Sequence, residues 1–165
     1  MSTLKTALKE LGFTDAEETA VGATFVKREY DRLLEEGKQD VIISSCCHSV
    51  NLLIGKHYPE LAKYLAPVVS PMQAHCLDIK RRYPNAKTVF IGPCTAKKME
   101  VQKESVKPYV DAVLTFEELQ ALFDSRDIDI TTLSEGVLDN ASYFGRIFAR
   151  CGGLSDAIAE GLKEQ

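Results

Sequence analysis

Three short apolar runs, each leading straight into a turn or a helix start, most limit what this chain can fold into. They are Val41-Ile42-Ile43-Ser44-Ser45, Thr88-Val89-Phe90-Ile91 and Ala112-Val113-Leu114. Each is too short for a helix and the first two are rich in β-branched residues, which suits buried strands. Val68-Val69 is a fourth, shorter candidate. Helical patterns separate these runs, and strands joined by helical crossovers pair in parallel, with helices on both sheet faces. The expectation is one α/β domain over residues 1–165, a Rossmann-like lobe with a mostly parallel sheet.

The helical segments have their own signals. Leu4, Ala7, Leu8 and Leu11 share a face that ends at Gly12. A second helix is expected from near Thr24, burying Val26, Tyr30, Leu33 and Leu34 and stopping at Gly37. Helical pattern continues through Leu52 to Ile54 and Leu61 to Leu65. Ser70-Pro71 combines an N-cap hydroxyl with proline at the first helical position, predicting a helix to about Tyr83. Thr115-Phe116-Glu117-Glu118 has capping-box spacing for a helix through Phe123. Another helix is expected from Tyr143 to Arg150, and a last one from Leu154 after Gly152-Gly153.

A net charge of −4 leaves no basic stripe to neutralise phosphates, so nucleic acid is not an expected partner. No apolar stretch approaches the roughly 20 residues of a membrane span, and no signal-peptide pattern opens the chain, so a cytoplasmic location is expected. The five cysteines are odd in number and Cys46 and Cys47 are adjacent, which argues against a disulfide framework. Inert buried thiols, a reactive thiol or metal ligands remain.

In an open parallel sheet, ligands collect at the carboxyl ends of the strands. Ser44-Ser45-Cys46-Cys47 follows one expected strand and Gly92-Pro93-Cys94-Thr95-Ala96-Lys97-Lys98 another. Thiolates are soft ligands suited to iron–sulfur sites, and a helix N-terminus or a lysine lowers a thiol pKa. Position alone leaves open that these cysteines merely cap the sheet.

The words around the cysteines go further. Ser-Ser-Cys-Cys, then Ser70-Pro71, then Pro93-Cys94-Thr95-Ala96-Lys97-Lys98, with Phe148-Ala149-Arg150-Cys151-Gly152-Gly153 later, resemble in order the iron-only (di-iron) hydrogenases. The resemblance covers nearly the whole chain and is strongest from Val41 to Glu118. It implies that Cys47 and Cys94 are two of four thiolates holding a four-iron (4Fe-4S) cluster. Cys46 then matches the cysteine that passes protons to the di-iron unit. Lys97 matches a lysine that hydrogen-bonds an iron-bound cyanide, and Pro93 lies against the same pocket. The other two ligands belong to a later cysteine- and glycine-rich segment beyond Gln165. The expectation is therefore one lobe of the domain, holding no cofactor or an incomplete one, and inactive by itself. The implied partners are the remaining lobe and a ferredoxin or ferredoxin-like redox partner, with a homodimer as a further option.

Three departures point toward a sensory or regulatory branch. His48 stands where catalytic members have proline, Gly92 replaces a pocket methionine, and Arg28 lies near an expected carboxylate of the proton path. His48 could act as relay, redox tuner or hydrogen-bond donor to cluster sulfur, or be satisfied locally. His57, His75, Cys76 and Cys151 read as ordinary residues. Glu17-Glu18, Glu35-Glu36 and Glu117-Glu118 read as solvated or capping charges. Two alternatives stay beside the enzyme reading: an iron–sulfur redox or hydrogen sensor, and a metal-free α/β interaction domain.

Overall fold

The computed structural model describes residues 2–138 and 140–163. In chain order the elements are α1 (Ser2–Glu10), α2 (Ala20–Glu36), α3 (His48–His57), a 3-10 helix (Pro59–Tyr64), α4 (Pro71–Arg82), β1 (Val89–Ile91), α5 (Ala96–Glu100), β2 (Ala112–Leu114), α6 (Phe116–Asp124), α7 (Tyr143–Ile147) and α8 (Gly153–Lys163). The fold class is α/β.

β1 and β2 pair in parallel, with Phe90 opposite Val113 and Ile91 opposite Leu114. Successive strand side chains point to opposite faces, and both faces here meet helices. Phe90 and Val113 pack into a cluster with Met72 and Cys76 of α4 and with Val106 and Val110. Ile91 turns the other way, against Ala7 and Leu8 of α1 and Leu119 and Phe123 of α6. A third cluster, Val26, Tyr30 and Ala66, gathers α2 with Phe148 and with Leu154 and Ile158 of α8.

α2 is the central helix, touching α4, α7 and α8. A Cβ on Gly22 would lie 2.2 Å from the Pro71 carbonyl oxygen, so glycine lets α2 press against the start of α4. α2 begins at Ala20, one turn before the expected Thr24, because the residues ahead of it are anchored. Arg82 grips Glu17 through two hydrogen bonds of 2.9 and 2.7 Å, and His75 meets the same carboxylate at 3.0 Å. Arg146 grips Glu18 in the same two-pronged way. Glu17 and Glu18 are thus structural latches rather than solvated charges. The helix stops as expected at Gly37, whose φ of 59° is left-handed. Leu34, expected in the core, is 42% exposed.

The sheet is smaller than expected. Residues 41–45 form no strand: one parallel bridge joins Ile43 to Leu65, and Val68-Val69 does not pair. Pro67 follows the bridge and has no N–H to continue a ladder. The Ser45 N–H, which a strand would offer a neighbour, goes instead to the Tyr30 hydroxyl at 3.1 Å. The two cysteine loops therefore follow separate ladders rather than two strands of one sheet.

Candidate functional site

The Cys46-Cys47 loop leads directly into α3, with Cys47 at its N-cap in extended conformation. Cys94 lies two residues ahead of α5, its carbonyl accepting from the Lys97 N–H at 3.2 Å. α3 and α5 pack against each other. Lys97 joins the loops: its Nζ lies 3.5 Å from the Cys46 carbonyl oxygen and 2.6 Å from Glu100 Oε2. An ammonium has three donors, so one direction remains for a ligand.

Glu100 is the residue that sequence reasoning missed. It is 5% exposed, and its other carboxylate oxygen accepts from Ser70 Oγ at 2.5 Å. Ser70 in turn accepts from the Gln73 N–H as the N-cap of α4, as expected. A buried carboxylate thus ties the start of α4 to the lysine beside the cysteines. The signal was present as Lys97-x-x-Glu100, an i,i+3 ion pair on a helix.

The two adjacent cysteines differ in setting. Cys46 is half-buried within the α2 cluster, whereas Cys47 and Cys94 are exposed and unbridged. Burial pushes the Cys46 thiol above its ordinary value, with the hydrogen bond to Tyr30 opposing. Pro93 is exposed beside Cys94. His48 is 4% exposed and its Nδ1 has no hydrogen-bond partner. Burial, followed by the charge of Lys103, holds its pKa below the usual value. The Oδ1 of Asn51, one turn along α3, is also buried without a partner.

Two expected features change. Arg28 is exposed, and the α2 residue that reaches Cys46 is Tyr30, so the guanidinium is not the group facing that thiol. Gly92 leaves no void, because the Phe90 ring lies 2.8 Å from where its Cβ would stand. His57 and Cys151 are exposed, Cys76 is buried, and His75 is a buried latch residue on Glu17.

A family model described as iron only hydrogenase large subunit, C-terminal domain, matches residues 1–165. The chain belongs to that family. Among curated relatives of the hydrogenase family, Iron hydrogenase 1 of Clostridium pasteurianum is 29% identical over 180 residues, covering 96% of this chain and 31% of the relative. The cytosolic Fe-S cluster assembly factor NAR1 of Eremothecium gossypii is 32% identical over 96 residues, covering 58% of this chain and 21% of the relative. The apo [FeFe]-hydrogenase HydA1 of Chlamydomonas reinhardtii superposes with a TM-score of 0.71 at 28% identity, covering 84% of this chain and 40% of that one. The chain therefore spans well under half the length of these proteins.

An iron–sulfur cluster is the group the family implies, and the donor set tests the fit. Cys47 and Cys94 are exposed thiols on two loops that Lys97 draws together, which suits two corners of a thiolate-held cluster. Among the described residues, no group of three or more His, Cys, Asp and Glu side chains could hold a metal. The fit is thus to part of a donor set. No helix among the described residues is long and apolar enough to cross a membrane.

Proposed function

We propose that this chain is one lobe of an iron-only hydrogenase-like domain in which Cys47 and Cys94 supply two of the four thiolates of a four-iron cluster. Cys46 would be the thiol nearest the adjoining di-iron unit, Pro93 and Lys97 would line its pocket, and His48 would back the cluster from α3. When bound, the cluster and di-iron unit supply the electrons and the site at which protons and hydrogen interconvert. The chain's own residues do the holding: Glu100 fixes the Lys97 ammonium, and Lys97 fixes the Cys46 backbone. The observation that carries this reading is the Lys97 bridge between the two cysteine loops, with both candidate ligand thiols left exposed.

The remaining ligands would come from a second lobe packed on the exposed side. Val69, Met99 and Phe116 are 42%, 56% and 51% exposed, apolar side chains of the kind that such a lobe, or a second copy of the chain, would cover. A ferredoxin or ferredoxin-like domain is the electron partner, in the cytoplasm, where five free thiols stay reduced.

A second reading is an iron–sulfur redox or hydrogen sensor without turnover. It draws support from the buried His48 beside Cys47, and the relative named as a cluster assembly factor carries an iron–sulfur role that is not hydrogen turnover. One assay separates the two. The full-length protein, matured anaerobically, is tested for hydrogen evolution from a reduced dye per iron bound. Turnover matching an authentic hydrogenase supports the enzyme; iron uptake without turnover supports the sensor; no iron uptake, with Cys47→Ser and Cys94→Ser changing nothing, contradicts both.

A further inference from the structure

We infer that Tyr30 is a positioning residue of the cysteine loop, whose hydroxyl holds Cys46 inward so that Cys47 is the thiol presented to a metal. The inference rests on reading Cys47 as a ligand. Tyr30 is 3% exposed on α2, and a buried phenol must satisfy its hydroxyl. It does so entirely on one loop. The oxygen accepts from the Ser45 N–H at 3.1 Å and from the Cys46 thiol at 3.6 Å, and the hydroxyl donates to Ser44 Oγ at 3.2 Å.

The rest of the loop is fastened in a way that leaves this contact decisive. Ser45 Oγ donates to the Val68 carbonyl at 2.6 Å, and Asn51 Nδ2 donates to the Ser45 carbonyl at 2.8 Å. Ser45 is therefore fixed at its N–H, its carbonyl and its side chain, and Cys46 and Cys47 follow, the first half-buried and the second exposed. Two adjacent thiols on a free loop would compete for the same metal, since either can rotate outward. The Tyr30 contact breaks that equivalence. It also explains why the pairing ends at Ile43: the Ser45 N–H goes to a side chain of α2 and the Ser45 carbonyl to Asn51 of α3.

The test uses the chain without metal. Native protein is alkylated with iodoacetamide and the rate at each cysteine is read by mass spectrometry. With each rate taken at full ionisation from its pH profile, Cys47 and Cys94 should react quickly, Cys46 about tenfold more slowly than Cys47, and Cys76 only on unfolding; Tyr30→Phe should raise that Cys46 rate several-fold and leave Cys94 and Cys76 unchanged. An unchanged Cys46 rate with Cys76 still protected overturns the inference. If Tyr30→Phe exposes Cys76 as well, the variant has lost its fold. The infrared S–H stretch of the unaltered chain then decides. Isolated by subtracting the Cys46→Ser spectrum, the Cys46 band should lie below the Cys47 band, and coincident bands overturn the inference. A chain that shows the Tyr30 effect yet takes up no iron at maturation would keep this role and lose the cluster reading, so the two failures are distinguishable.

Discussion

Residues 88–116 and 41–70 contain the same kinds of sequence: β-branched runs, a cysteine turn and a capped helix start. In the first region the runs become β1 and β2, their backbones paired along three residues and both faces covered by apolar clusters. In the second, only Ile43 and Leu65 pair, Val41 and Val69 stay exposed, and the freed Ser45 donor goes to Tyr30. A short apolar run becomes a strand only where a neighbour accepts its hydrogen bonds. Where a side chain takes the donor instead, the loop gains a fixed shape that a ladder would not allow.

That contrast can be broken most forcefully by removing packing from each side. Phe123, 2% exposed in the cluster that covers Ile91 of β1, should cost about 3–5 kcal/mol on mutation to alanine. Val41→Ala, at a 54% exposed position, should stay within about 0.5 kcal/mol. Urea unfolding of both variants checks the pair, and a large loss at Val41 would mean that the 41–45 run is a core strand after all.

The next effect lies where the two regions meet. Lys97→Met leaves the Glu100 carboxylate buried with only Ser70 as partner, at an expected cost of about 3 kcal/mol. The double variant Lys97→Met with Glu100→Met should recover much of that loss. Ser70→Ala removes an N-cap and the other Glu100 hydrogen bond, for about 1–2 kcal/mol.

Smaller effects appear in the pH dependence of stability. The Arg82 hydrogen bonds, outweighing burial and helped by His75, hold the Glu17 carboxyl below its ordinary value near 4.5. A depressed carboxyl stabilises the fold above that value and loses its contribution as pH falls through the folded pKa. Glu17→Gln should therefore flatten the acid arm of the stability curve. Burial pushes the Cys76 thiol from 9.0 up to about 11. A raised thiol contributes below pH 9 and loses that contribution as pH rises toward 11, so Cys76→Ala should flatten the alkaline arm. Denaturation midpoints measured across pH check both signs.

Much of this was legible in the sequence. Ser70-Pro71 and Thr115 to Glu118 named their caps, and Gly37 named its helix stop, because capping depends on residues adjacent in sequence. The cysteine motifs identified the family for the same reason. What escaped were pairings across long separations. Tyr30 was visible as a buried face of α2, but nothing local showed that its hydroxyl would meet Ser45 and Cys46. Glu100 was passed over, because its partner Ser70 lies thirty residues away in the sequence. Arg28 was placed near an expected carboxylate of the proton path, and helix phase turned it outward.

The account stands on Cys47 and Cys94 facing a common space, and a short thiol-bridging reagent tests that directly. Cys46→Ser chain is treated under native conditions with dibromobimane, digested, and the linked peptides are read by mass spectrometry. The arrangement of the two loops around Lys97 predicts that the dominant intramolecular product joins the Cys47 peptide to the Cys94 peptide. Single modification at both cysteines with no link between them would contradict it.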